Sequence, residues 1–342
     1  MDNISRNHFD VSLMQTGTIN YQKDSKRSLL EEKFKEVATT LALDDNEMAD
    51  NFKWITRKCP ICLNDSIHTT VMVKYGVDIV ECGGCGFWFT PAIFKATVDS
   101  MSDIWKGAFE ETHISFLQSE TYKKLSTIRY SYELDVIEKF AKHHHMSILD
   151  IGCGTGEFLR LAQKRDWFAY GVEANPILAK IASQFLNNII NAYFTPSLFP
   201  RELRFDTVVT LDTLEHIPDP DLFVAGIREV LAENGFLLIQ VPNATSLSAR
   251  LNMKQDNMFN GLIHYNYFDR QSLVRLIQRH GFELISYETV ITELNSITRF
   301  DNEVICNKIR EITGRSVDST VTPDFILDND LGYKIIALFQ AI

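Results

Sequence analysis

The sequence predicts an α/β fold: a doubly wound, mostly parallel sheet of seven strands, with a small cysteine-bearing unit and a helical leader on its N-terminal side. Three observations predict it. From Ser147 onward short apolar runs alternate with helical segments; the first run opens into the glycine turn "SILDIGCGTGEFL" (147–159); and four of the six cysteines form two pairs, Cys59/Cys62 and Cys82/Cys85. Alternating strands and helices imply βαβ units, whose crossovers cover both faces of a parallel sheet.

The leader comes first, over 1–56. Its opening 25 residues are polar and mixed and read as partly disordered, whereas "SLLEEKFKEVATTLAL" sets Leu30, Phe34, Val37 and Leu41 at helical spacing. The cysteine unit follows at 57–92, closed by the turn-former Pro91. A helical connector at 93–143 carries Leu125, Ile128, Val136, Ile137 and Phe140 on its apolar side, and His143–His145 read as a solvated loop. The α/β domain occupies 144–342, with strands in "SILDIG", "FAYGVEA", "NIINAYF", "FDTVVTL", "GFLLIQVPN", "FELISYETV" and "YKIIALFQAI". In "DRQSLVRLIQRHG", Asp269 is a candidate N-cap and Gly281 a candidate stop. An insertion at about 292–330 is longer than a hairpin needs, which predicts a helical lid or the contact of a homodimer.

Composition narrows the function. Acidic residues outnumber basic ones, 45 against 34, for a formal charge of −11, and no block of Lys and Arg overrides the repulsion of phosphate backbones, so nucleic acid is not an expected partner. The longest apolar runs fall well short of the ~20 residues of a membrane span, and "MDNISRNHFDVSLMQ" lacks a basic-then-apolar signal, so a cytoplasmic location is expected.

In that setting paired cysteines favour a metal over disulfides. "CPIC", 19 residues and "CGGC" give two knuckles facing each other across a hairpin-like segment, and Cys59, Cys62, Cys82 and Cys85 suit tetrahedral Zn²⁺ at about 2.3 Å. Gly83, Gly84 and Gly86 supply the tight backbone. An iron–sulfur cluster or a redox thiol pair is the competing chemistry. With four protein ligands the zinc is structural, with no open position. Phe87, Trp88 and Phe89 are expected to pack on the α/β domain rather than to stack bases.

The glycine turn suits two ligand classes, dinucleotides and S-adenosylmethionine. Gly152, Gly154 and Gly156 are one residue short of the dinucleotide spacing G-x-G-x-x-G, and Asp150 directly precedes them; a carboxylate there suits a cationic ligand better than a pyrophosphate. Glu173 ends the next strand, 19 residues beyond Gly154, where an acid can accept from a ribose diol. "LDIGCGTGEFL" followed by "GVEAN" resembles the first two motifs of the class I S-adenosylmethionine-dependent methyltransferases, and "FDTVVTLDTLEHIPDPDLFVAGIREVLAENGFLLIQVPN" is similar to their fourth- and fifth-strand region. The resemblance covers roughly 145–290 and implies a Rossmann-like fold. It further implies that Asp150, Gly152, Gly154 and Gly156 line the methionine part of the cofactor, Glu173 holds the ribose hydroxyls, Ala174 and Asn175 flank the adenine, and Leu211 and Asp212 close the cofactor side. The acid many relatives carry after the third strand is missing from "INAYFTPSLF".

Methyl transfer to a hydroxyl requires a positioned acceptor and a base. In a doubly wound sheet the site lies at the carboxyl ends of the strands, where Asp212, Glu215 and His216 follow "FDTVVTL". His216 is the first candidate base. His264, in "LIHYNYFDRQSL", is the second. Bracing of the following helix or of the loop is the structural alternative for these residues. Asp212-x-x-Glu215-His216 also resembles the acidic-His element of ubiquinone-pathway O-methyltransferases, where a divalent ion can be held. A ribbon ahead of a methyltransferase domain is similar in layout to enzymes of sugar, polysaccharide and natural-product gene clusters. The expected acceptor is therefore a hydroxyl of a sugar, glycan or other small metabolite. The alternatives are an aromatic, ubiquinone-like hydroxyl, ribosomal or transfer RNA, and a non-catalytic protein that binds the cofactor without turnover.

Overall fold

The computed structural model describes residues 54–65, 67–94, 119–141, 145–290, 294–317 and 321–342, with 32, 34–36, 114, 115 and 117. Of the leader helix, residues 32 and 34–36 are described and helical; the rest of 1–53, 95–113 of the connector, and His143 and His144 lie outside the described residues.

Seven strands form the main sheet: β6 (Ser147–Ile151), β7 (Phe168–Glu173), β8 (Ile189–Asn191), β9 (Phe205–Leu211), β10 (Leu231–Pro242), β12 (Phe282–Val290) and β13 (Lys334–Ala341). Their order is β12-β13-β10-β9-β6-β7-β8. β13 alone runs against its neighbours, pairing antiparallel with both β10 and β12. Strands buried on both faces read as near-continuous apolar runs, as "SILDI" and "FDTVVTL" do. Successive side chains alternate between two cores. Leu149, Ile151, Val208, Leu237 and Ile239 meet Val224 and Ile227 of α4 (Pro220–Val230) and Leu273, Leu276 and Ile277 of α6 (Arg270–Gln278). Ile148, Val209, Leu211 and Leu238 meet α1 (Glu120–Phe140), α2 (Glu157–Gln163) and α3 (Pro176–Ala182) through Leu134, Ile137, Phe158, Leu159 and Ala182. Asp269 caps α6 through a capping box with Ser272, and Gly281, at φ +77°, lies beyond the helix end.

The cysteine unit is built on two small sheets. β1 (Trp54–Thr56) pairs with β5 (Ala92–Phe94), and β2 (His68–Lys74), β3 (Val77–Cys82) and β4 (Trp88–Phe89) form a meander. Its fourth strand has no signal in the local sequence: β11 (Asn266–Tyr267), from the α/β part of the chain, pairs antiparallel with β4. The unit also shares a core with the main sheet, since Cys59, Ile61, Val80, Phe87 and Phe89 join the α6 cluster and Phe87 packs on Phe268. Trp88 packs on Phe259. Beyond β10, α5 (Leu247–Asn252) supports the insertion, whose helices α7 (Leu294–Ile297), α8 (Asn302–Thr313) and α9 (Pro323–Asp328) close over Leu247 and Leu331 through Ile297, Ile305, Ile309 and Ile326.

Candidate active site

The glycine turn leaves β6 and enters α2. Gly152, at φ +81°, could not be another residue without disturbance, because a Cβ there would lie 2.3 Å from Thr213 Oγ1. That contact sets the turn against the loop that follows β9. At Gly154 the same construction meets nothing within 4 Å, so the turn faces open space there. Glu173 closes the turn from β7: Gly154 N–H donates to Oε2 at 2.8 Å and Asn175 N–H to Oε1 at 2.7 Å. Each of these oxygens has lone-pair capacity left for a diol. Asn175 is turned to cap α3, accepting from the amides of Ile177 and Leu178, and Ala174 adjoins it. Leu211 is buried in the core at the end of β9.

Beneath the turn lies a buried set of ionisable groups. Asp150 is 2% exposed, its Oδ1 has no hydrogen-bond partner, and burial, with the Glu173 charge, pushes its pKa up to about 8. Glu133, from α1, is fully buried with both carboxylate oxygens unpartnered, and burial raises it likewise to about 8. Arg129, one turn earlier, reaches only 3.8 Å from it, with its Nε unpartnered. Asp212 adopts φ +54° and accepts from Lys334 Nζ at 2.5 Å. Burial alone would raise Asp212, but Lys334 and Arg129 hold it below the usual range. Lys334 is placed here because β13 is antiparallel: its first residue pairs with Pro242, the last of β10. Orphaned carboxylates beside an open glycine turn fit a ligand that carries positive charge, as the methionine end of S-adenosylmethionine does.

Arg129, Glu133 and Lys334 were not anticipated. The first two had a signal, since they fall at helical spacing with Leu125, Val136 and Ile137 and put charge on an otherwise apolar stripe. Lys334 had none; it opens an ordinary apolar strand.

Past Asp212 a short 3₁₀ turn, Leu214–His216, carries Glu215 and His216, and the N-cap of α4 is Asp219 rather than either of them. The loop before β11 brings His264 to them, with the two imidazoles 4.7 Å apart between centroids and nearly perpendicular. His216 Nδ1 lies 2.8 Å from the Ile263 carbonyl and His264 Nδ1 lies 2.8 Å from the Met258 carbonyl. A carbonyl can only accept, so each Nδ1 carries the proton and each neutral ring has its lone pair on Nε2. Burial and the neighbouring His216 hold His264 well below the usual histidine range. Glu215, 2% exposed, is raised to about 8 by burial and by Asp212, against the opposing Lys334, and lies 4.0 Å from His216 Nε2. Donor atoms of Glu215, His216 and His264 fall within 4.8 Å of one another, a spacing one divalent cation could also bridge.

The four cysteines converge as well. Cys59 Sγ lies 3.5 Å from Cys85 Sγ and Cys62 Sγ 3.6 Å from Cys82 Sγ, and all four sulfurs lie within 4.8 Å of one another. Tetrahedral zinc–thiolate bonds set sulfurs about 3.8 Å apart, so the set fits that ion. Burial pushes Cys59 upward and Cys85 up to about 11, so these thiols ionise only with a cation to hold them.

Residues 125–287 match the family described as a methyltransferase domain, and the sheet, the glycine turn and the acid that closes it lie within or beside that span. Among curated proteins, the C-methyltransferase NovU of Streptomyces niveus is 27% identical over 157 residues, 45% of this chain and 36% of that one. A ubiquinone biosynthesis O-methyltransferase of Bartonella quintana is 27% identical over 106 residues, 30% of this chain and 43% of that one. The chain thus spans less than half the length of either relative. An S-adenosylmethionine-dependent methyltransferase of Archaeoglobus fulgidus superposes with a TM-score of 0.47 at 18% identity, covering 64% of this chain and 94% of that one. Among the described residues no helix is long and apolar enough to cross a membrane.

Proposed function

We propose that the chain is an S-adenosylmethionine-dependent methyltransferase acting on a hydroxyl of a sugar, glycan or other small metabolite, with His216 or His264 accepting the proton and the four cysteines holding a structural Zn²⁺. The observation that carries this reading is the histidine pair. Both rings donate Nδ1–H to backbone carbonyls and so keep a basic Nε2, and the loop that bears His216 meets the glycine turn through Thr213 and Gly152. When bound, S-adenosylmethionine supplies an electrophilic methyl group on a sulfonium.

The protein's part is to hold and to deprotonate. Asp150 and Glu133 offer negative charge to the cationic end of the cofactor, Arg129 offers a guanidinium to its carboxylate, and Glu173 accepts from the ribose hydroxyls. An imidazole Nε2 takes the acceptor's proton as its oxygen becomes nucleophilic, and burial keeps His264 neutral and ready for it at neutral pH.

Methylation at carbon is a second reading, and Glu215 favours it. An acid raised to about 8 stays protonated at neutral pH and can donate a hydrogen bond to the oxyanion formed when a histidine removes a proton beside a carbonyl. The Streptomyces relative is named a C-methyltransferase.

The test is methyl transfer from labelled S-adenosylmethionine into sugar nucleotides, glycans, phenols and RNA. His216→Gln or His264→Gln should lower the rate by roughly 100-fold or more with cofactor affinity unchanged, the range a general base contributes. Full activity in both variants would reject the base, and transfer to RNA alone would reject the acceptor class. Exchange of an acceptor C–H with deuterated solvent, lost on His substitution, would select carbon over oxygen.

A further inference from the structure

We propose that Arg57 is a positioning residue that carries the fold of the cysteine unit into the His216–His264 pair. The inference rests on the reading of those histidines as the proton-accepting groups and adds to it the element that holds them.

Arg57 follows β1 and lies two residues before Cys59. Its backbone N–H donates to Pro91 O at 2.9 Å and its Nε–H to Thr90 O at 2.8 Å, both within the cysteine unit. The guanidinium then crosses to the α/β domain. Nη1 donates to Pro218 O at 2.7 Å, and Nη2 donates to Tyr265 O at 2.6 Å and to Asn266 Oδ1 at 2.9 Å. All four acceptors of the guanidinium are neutral oxygens, so the cation serves to gather carbonyls rather than to pair with an acid.

The gathered carbonyls belong to the two loops that bear the histidines. Pro218 is two residues past His216, and Tyr265 directly follows His264. The same two loops are cross-linked around the clamp: Tyr265 N–H donates to Glu215 O at 2.8 Å, and Asn266 Nδ2 donates to Leu214 O at 3.2 Å and Ile217 O at 2.8 Å. Thr90 N–H donates to Tyr265 O at 3.0 Å, so that oxygen receives both the guanidinium and an amide of the cysteine unit. Only a planar fork with separated N–H groups reaches three sites in two loops; an ammonium is a point. The guanidinium also lies 5.5 Å over the Phe89 ring, which shares a buried cluster with Cys59 and Cys82. Closing the four cysteines around a metal therefore fixes the stem of Arg57, and Arg57 fixes the spacing of the two imidazoles.

The test reads the imidazoles themselves in the full, zinc-loaded chain. With ¹⁵N-labelled histidine, long-range ¹H–¹⁵N spectra report which ring nitrogen holds the proton, and His216→Gln and His264→Gln assign the signals. In the wild type both rings should be Nδ1–H tautomers. In Arg57→Ala and in Arg57→Lys at least one ring should change to a mixture of tautomers, with zinc content unchanged and affinity for S-adenosylmethionine within about twofold, and millimolar guanidinium should restore the single tautomer in Arg57→Ala. A merely structural arginine would not give that rescue. Should Arg57→Ala fail to fold, Arg57→Lys carries the test, together with chelation of the wild type, which should mix the tautomers in the same way. Fixed Nδ1–H rings in the folded variants, or in the chelated chain, would overturn the proposal. If the tautomers respond while both His→Gln variants keep full methyl transfer, the base assignment fails and the clamp stands; if the bases hold and the tautomers do not respond, the clamp alone fails.

Discussion

Asp150 joins three properties that matter only together: it is buried, one of its oxygens has no partner, and its pKa is pushed up to about 8. A carboxyl left so is costly unless something arrives to use it. A cationic ligand would pull its pKa back down, so binding at neutral pH must release a proton. Two outcomes follow at this residue. Calorimetry of S-adenosylmethionine binding near pH 7 should show an enthalpy that depends on the ionisation heat of the buffer, and affinity should rise from pH 7 toward pH 9. Asp150→Asn should weaken binding by roughly 10- to 100-fold, the value of a charge-assisted hydrogen bond of about 1.5–3 kcal/mol, and should reduce the proton release. Equal affinity in the variant would remove Asp150 from the cofactor site.

At the scale of elements, the notable fact is how α6 joins the two parts of the molecule. Its start is fixed by the Asp269–Ser272 capping box, and its end delivers Arg279 to the first cysteine knuckle. Arg279 Nη1 donates to Ile61 O at 2.7 Å and Nη2 to Pro60 O at 3.3 Å, while Asp221 of α4 accepts from both Arg279 and His280. The knuckle is thereby tied to two helices of the main sheet. Arg279→Ala should lower global stability by about 1–2 kcal/mol through the lost carbonyl bonds, and should speed amide exchange in 59–63 more than in the strands β6 and β9. Uniformly faster exchange would mean that the knuckle and the sheet open as one unit.

Across the whole molecule, what could be read in advance follows from how far each interaction reaches along the chain. The seven strands were legible because their apolar runs and the intervening helices each carry a period, and the glycine turn with Glu173 was legible because it completes itself within one βαβ unit. The two-residue strand β11 has no period to detect, and its partner Trp88–Phe89 lies far away in sequence. Arg57 and Lys334 gain their meaning from loops and strands that only the fold brings near. The acids beside the site are a similar product of assembly, for Glu133, Asp150 and Glu215 come from three separate segments and each is raised to about 8 by burial. Their joint effect is a property of the molecule. A buried acid raised above its unfolded value binds more protons in the native state, so its contribution is fully present below the unfolded value, near 4, and is lost as pH rises through about 8. His264, held low, acts in the opposite sense only below about pH 6.5, where the unfolded imidazole takes a proton. Between pH 7 and 9 His264 no longer opposes the acids, and unliganded stability should fall by about 1 kcal/mol for each of the three. S-adenosylmethionine should offset the loss, because its affinity rises over the same interval and its stabilisation grows as RT ln(1 + [L]/Kd). Calorimetric melting with and without the cofactor at pH 7 and pH 9 reads both effects. A Tm that rises with pH in the unliganded chain would show that these carboxyls are already ionised and partnered, and would remove the electrostatic basis for the cofactor site.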